Sequence, residues 1–325
     1  MRLPSQGNVA HLARSLFANR SHHKVVMGML AANRFTCHWD ESGIDPGTET
    51  RSKSDKDLLV VAGYFAHVDE WKAFEKKWEP TVKSANLPYF HMVDFANGNP
   101  PYRNWDEPRK GRFIDKLLHI IGSTSRAWIV WAIEIDAYME VIKAKNLLDK
   151  DIVRAYHICA RKCIQSVALW SMIARHPYKV LHIFDRGNAA WDSFAASLTQ
   201  SQLDSLNILA PIAQSKTDII PLQAADALAH QTARHLELSM GLKKKVPKVL
   251  YSKELWTPPM SGICRVIDKA TLSQMYWEER RAEQLRLRGV DVRKVVDLKK
   301  ATPLQVRIAN ELFADPKPIR NGRER

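Results

Sequence analysis

The segment Tyr178–Asp185 is an apolar strand of the kind buried on both faces of a sheet, and it ends on a carboxylate. A strand of that kind needs helices above and below it, which makes the chain a layered α/β protein. The flanking segments agree. Arg34–Asp40 alternates Phe35, Cys37 and Trp39 against Thr36, His38 and Asp40, the period of a strand. Ser42-Gly43 and Asp45-Pro46-Gly47 break it and open a polar loop to Asp57, after which Leu58–Phe65 is a second apolar strand. The pair reads as a hairpin with a long loop.

Trp71, Phe74 and Trp78 recur at i, i+3 and i+7 and predict a helix from about Asp69. Pro88–Phe95 reads as a short extended piece, Phe113–Ile121 as a helix and Trp128–Ile135 as the third strand. Asp151–Ala174 is a long helix that ends before His176-Pro177. A helix around Trp191–Leu198 leads to a fifth strand at Leu206–Ala213, and Pro221 opens a helix to Glu237. The expected organisation is a basic N-terminal extension (1–33), an α/β core with a mixed five-stranded sheet flanked by helices (34–240), and a basic linker and helical arm (241–325).

The charge follows the same division. Lys and Arg number 49 against 35 Asp and Glu, a formal net charge of +14. Residues 1–39 hold five basic residues and no acid, and residues 276–325 hold 13 basic against 8 acidic. The middle carries 31 against 27 and is close to neutral. Basic ends around a neutral core suit a phosphate backbone as partner.

Other classes are excluded on sight. Four scattered cysteines make no disulfide framework, and Cys159 and Cys163 read as core thiols four apart on one helix. The longest apolar run, Val25–Ala32, falls short of a membrane span and lacks a signal-cleavage pattern, so no membrane partner and a cytoplasmic location are expected. A dinucleotide fingerprint, a Walker A loop, a Gly-x-Ser-x-Gly elbow and His-Glu-x-x-His are all absent from the sequence.

What remains are three acids in apolar places. Asp40 ends the first strand, Asp185 the fourth, and Asp226 lies on the packing stripe of Leu222, Ala229 and Ala233. A lone buried carboxylate loses several kcal/mol of hydration unless something compensates it. Local partners offer one explanation, such as turn capping for the strand-end acids and Arg234 or Lys216 for Asp226. A divalent cation explains all three at once, since Mg²⁺ and Mn²⁺ prefer carboxylate oxygens. If strands one and four are parallel neighbours, Asp40 and Asp185 emerge at one carboxyl edge, where open α/β sheets bind ligands.

Asp40-Glu41-Ser42-Gly43 together with Pro221-Leu222-Gln223-Ala224-Ala225-Asp226-Ala227-Leu228-Ala229 resembles the domain of unknown function 3800 family. Trp71…Trp78, Phe90-His91-Met92-x-Asp94-Phe95, Phe184-Asp185 and Ser215-Lys216 extend the likeness over roughly residues 34–237. The resemblance implies an RNase H-like fold, a metal-dependent nuclease acting on DNA or RNA, and Asp40, Asp185 and Asp226 as ligands of Mg²⁺ or Mn²⁺. The alternative is a catalytically inactive RNase H-like core serving nucleic-acid binding or a defence complex.

Around those three, Glu41 and Glu134 compete as a fourth acid, with Glu41 pointing away from Asp40 if the strand continues. Gln223, Asp226 and His230 share a helix face, which suits Gln223 to orienting a ligand or phosphate; the role of His230 is open. Lys216 and Ser42 are candidate substrate contacts, Lys216 alternatively pairing with Asp218. His91 and Asp94 are candidates for proton transfer or for a structural hydrogen bond.

Overall fold

The structure is a computed structural model of the chain and describes residues 35–43, 58–144, 152–173, 179–188, 190–241 and 261–276. The expected extension over 1–33, the loop to Asp57 and most of the basic arm lie outside the described residues.

β1 (Phe35–Ser42) and β2 (Leu58–His67) form the antiparallel pair that their alternation predicts, in register from Phe35 opposite His67 to Ser42 opposite Val60. Gly43 ends β1 at φ +117°, where a side chain would also overlap the Leu58 carbonyl, so only glycine fits. Helix α1 (Val68–Ser84) follows directly. His67 accepts from the Asp69 N–H while Glu70 accepts from the His67 N–H, a reciprocal cap for the exposed first turn. Its Trp71, Phe74 and Trp78 are buried against the sheet, as their spacing requires.

Then come α2 (Met92–Asn97), α3 (Glu107–Thr124), β3 (Ala127–Glu134), α4 (Ile135–Ala144) and α5 (Ile152–Ile173). β4 (Leu181–Asp185), α6 (Trp191–Ala196), α7 (Gln200–Ser205), β5 (Ile212–Gln214), α8 (Pro221–Ser239) and β6 (Ser261–Ile267) complete the order. The strands lie as β5-β4-β1-β2-β3-β6, and among them β2 alone runs against its neighbours.

The chain is therefore α/β, with helices on both faces of a mixed sheet. Among the described residues the sheet has six strands, where five are expected. The sixth, β6, pairs in parallel with β3 and comes from the stretch expected to be a basic linker and helical arm, so the sheet extends past residue 240. Pro88–Phe95 is not extended throughout: α2 begins at Met92 and stops where Gly98 turns left-handed at φ 68°. The fifth strand is shorter than Leu206–Ala213 suggests: it spans Ile212–Gln214, and Ile208 before it makes only an isolated bridge to Val180. Cys159 and Cys163 are core thiols as expected.

Two apolar layers enclose the sheet. One face packs Tyr64, Trp78, Phe90 and Phe113 beneath α1, α3 and α8; the other packs Trp39, Tyr156, Trp170 and Phe184 beneath α5. On the second face the Trp39 indole N–H donates to His182 Nδ1 at 3.1 Å, tying β1 to β4 inside the core. Burial lowers the His182 imidazole from its ordinary value to about 3.

The unfolded chain takes up a proton at His182 near pH 6.5, the folded chain only near 3, so between those values the unfolded state binds more protons. The contribution of His182 to stability is present above pH 6.5 and is lost as pH falls through this window, by about 1.4 kcal/mol per pH unit. Urea titrations at pH 7, 6, 5 and 4 are expected to show a steeper fall in the wild type than in His182→Gln. Equal slopes would contradict it.

Candidate active site

β1 and β4 are parallel neighbours, with His38 opposite Ile183 and Trp39 opposite Phe184. One more step along both strands sets Asp40 beside Asp185 at their carboxyl ends, on the face covered by α8. That helix is buried without a break from Pro221 to Ala233, and its alanines let it settle closely enough to lower Asp226 onto the same edge. Asp40, Asp185 and Asp226 are all buried.

One ammonium joins them. Lys216, in the turn between β5 and α8, places Nζ 2.8 Å from Asp40 Oδ2, 3.3 Å from Asp185 Oδ2 and 3.3 Å from Asp226 Oδ1. Backbone amides aim two of the carboxylates. The Glu41 N–H donates to Asp40 Oδ1 at 2.8 Å, and the Met92 N–H donates to Asp226 Oδ2 at 2.6 Å. Asp40 and Asp226 thus spend one oxygen on the protein frame and turn the other to the cation.

The electrostatics match this geometry. Burial pushes the Asp40 carboxyl well above its usual range; Lys216 opposes that, and Glu41, Asp226 and Asp185 add to it. Burial pulls Lys216 down, but Asp40, Asp226 and Asp185 outweigh it and hold the ammonium above its ordinary value. Glu41 is pushed up to about 7 by burial and by Asp185, against Lys216 and a hydrogen bond with Asn188.

Glu41 and Glu134 stand at different places relative to the three aspartates. β1 continues through Ser42, so Glu41 faces away from Asp40 yet stays electrostatically joined to the cluster. Glu134 sits opposite Leu58 while Asp40 sits opposite Ala62, with all of β2 between them, and it does not join. Ser42 lies on the Asp40 face at the strand end, half-buried. Arg234 pairs with Glu237 rather than Asp226, and Lys216 with the three aspartates rather than Asp218.

His91 and Asp94 do meet, Nδ1 to Oδ2 at 2.7 Å, with Asp94 Oδ1 also accepting from Asn99. Burial works to raise Asp94, but these hydrogen bonds hold its carboxyl below the usual range. His91 is the residue before α2, next to the amide that holds Asp226. His230 is buried on α8 one turn beyond Asp226.

Gln223 has a different task from the ligand contact its spacing suggests. Its Oε1 accepts from Trp78 Nε1 at 2.8 Å and from the Phe90 N–H at 3.0 Å, and its Nε2 donates to the Lys216 carbonyl at 2.9 Å. It ties α1, the approach to α2 and the Lys216 turn together. The central place of Lys216, the Met92 amide and Asn188 were not singled out from sequence; the first had a signal, its position just ahead of the Asp226 helix.

The donor set fits a hard divalent cation in chemistry and charge: three carboxylates, two of them oriented by amides, against one ammonium. Among the described residues no group of three His, Cys, Asp or Glu forms a ready metal cage. Lys216 Nζ stands among the three aspartates instead. Its N···O separations exceed the roughly 2.1 Å of a Mg²⁺–oxygen bond, so it holds the carboxylates farther apart than a metal would.

Gln223→Ala would strand the Trp78 N–H, the Phe90 N–H and the Lys216 carbonyl. A loss on the order of 3 kcal/mol in urea unfolding is expected; a change within 0.5 kcal/mol, as at an ordinary surface site, would show that these bonds are dispensable.

No protein-family model matches the chain, and no curated protein matches it. Its functional reading rests on the chemistry of this carboxylate cluster.

Proposed function

We propose that the chain is a Mg²⁺- or Mn²⁺-dependent hydrolase of phosphodiester bonds in nucleic acid, with an RNase H-like core of the domain of unknown function 3800 type. The observation that carries this is the convergence of Asp40, Asp185 and Asp226, from two strands and a helix, on one cation position. The strand arrangement supports it: an antiparallel β1-β2-β3 unit, with β4 and β5 added in parallel beside β1. The basic ends would supply charge for a phosphate backbone.

In this reading the three aspartates hold the metal, which when bound supplies Lewis acidity and an activated water. The amides of Glu41 and Met92 keep the carboxylates aimed. Glu41, electrostatically joined to the cluster, is the first candidate proton carrier. His91, oriented through Nδ1 by Asp94, is the second proton carrier at the edge of the site. Lys216 offers positive charge to the substrate phosphate.

With Mn²⁺, cleavage of single- or double-stranded DNA, RNA or an RNA–DNA hybrid is expected, falling to background in Asp40→Asn and in Asp226→Asn. Activity that survives both substitutions overturns the site. The ammonium filling the cluster favours a second reading, an inactive nucleic-acid-binding core. That reading gives no metal-dependent rise in Tm, whereas the hydrolase gives one that Asp40→Asn abolishes.

A further inference from the structure

We propose that Lys216 is a built-in cation that occupies the three carboxylates of the metal-free protein and is displaced by the divalent ion. This rests on the metal-site reading above and specifies how the same site changes state.

The geometry leaves little room for both cations. Nζ takes the inward oxygens of Asp40, Asp185 and Asp226 at 2.8, 3.3 and 3.3 Å. A Mg²⁺ ion needs oxygens at about 2.1 Å. Two positive charges sharing those oxygens would repel each other at close range in a poorly hydrated site. The other oxygens of Asp40 and Asp226 are already held by backbone amides, so these carboxylates cannot simply rotate to serve both cations.

Lys216 is built to leave without disturbing the fold. Its carbonyl is fixed by Gln223, and its turn is closed by the Asp218 and Ile219 amides donating to the Ser215 carbonyl at 3.0 and 2.9 Å. The four-carbon stem beyond that anchor is free of such ties. Its side chain, 15% exposed, lies nearer to solvent than the Asp40 carboxylate at 3%, so the ammonium leaves outward. There it meets whatever anion approaches the metal, which for a phosphodiester is the group to be cleaved.

Metal binding is then reduced by the fraction of molecules in which Lys216 holds the cluster. Mn²⁺ titrations of the full chain, followed by the EPR signal of the free ion, compare wild type, Lys216→Met and Asp40→Asn. Lys216→Met is expected to bind Mn²⁺ about tenfold tighter than wild type. It should also melt at a lower temperature without metal, a gap that saturating Mn²⁺ closes. Should Lys216→Met not fold, Lys216→Gln, which can still donate to Asp40, makes the same comparison. In the wild type, Mg²⁺ should abolish the slowly exchanging ammonium resonance of the ion-paired lysine in ¹⁵N NMR.

Equal or weaker Mn²⁺ binding by the neutral variant, with wild-type binding still dependent on Asp40, overturns the displacement and leaves the metal site standing. Absence of Mn²⁺ binding in both wild type and the neutral variant overturns the metal site and the displacement with it. A lysine resonance unchanged by saturating Mg²⁺ also overturns the displacement.

Discussion

Carboxylates placed side by side in a desolvated pocket repel one another, and only a cation lets them stay charged together. Lys216 sets its ammonium among Asp40, Asp185 and Asp226. The parallel register of β1 and β4 sets two of the acids adjacent, and the close seat of α8 supplies the third. The fold concentrates negative charge in one place, and the ammonium makes that concentration tolerable.

Support for the cluster comes from groups that never touch it. On the far face of the sheet, Trp39 donates to His182 one residue before Asp40, locking the strand pair whose ends carry the acids. On the near face, the amide of Gln223 connects a tryptophan on α1, the backbone before α2 and the carbonyl of Lys216. Both are hydrogen bonds between distant parts of the chain, made where water cannot substitute for them. The pocket is rigid in its carboxylates and adaptable in its lysine.

Much of this was legible in the residues. Alternation at Phe35–Asp40 and the apolar runs at Leu58 and Leu181 marked strands because each pattern extends over several residues. The tryptophan spacing marked α1 for the same reason. Short elements lost their bounds or their type: the six residues of α2 fell within a piece read as extended, and the expected fifth strand pairs over only three residues. α4 starts on the residue directly after β3, with no breaker between them. The three acids stood out because polarity in an apolar setting is a local signal. Lys216 stood out as a contact for Asp226 or substrate, but its simultaneous grip on three aspartates did not, since that depends on neighbours brought together from distant parts of the chain.

The last strand carries a practical consequence. β6 pairs with β3 over its whole length, and its Gly262 lies so close under the Trp128 ring that any side chain there would overlap it. A fragment cut after α8 would retain every acid of the cluster, yet it would strip the sheet of its border. The backbone donors and acceptors of β3 and one indole face would be left bare, an open template for another copy of the chain. Clumping of such a truncated protein would report on that uncovered border and say nothing about the cluster at the other side of the sheet.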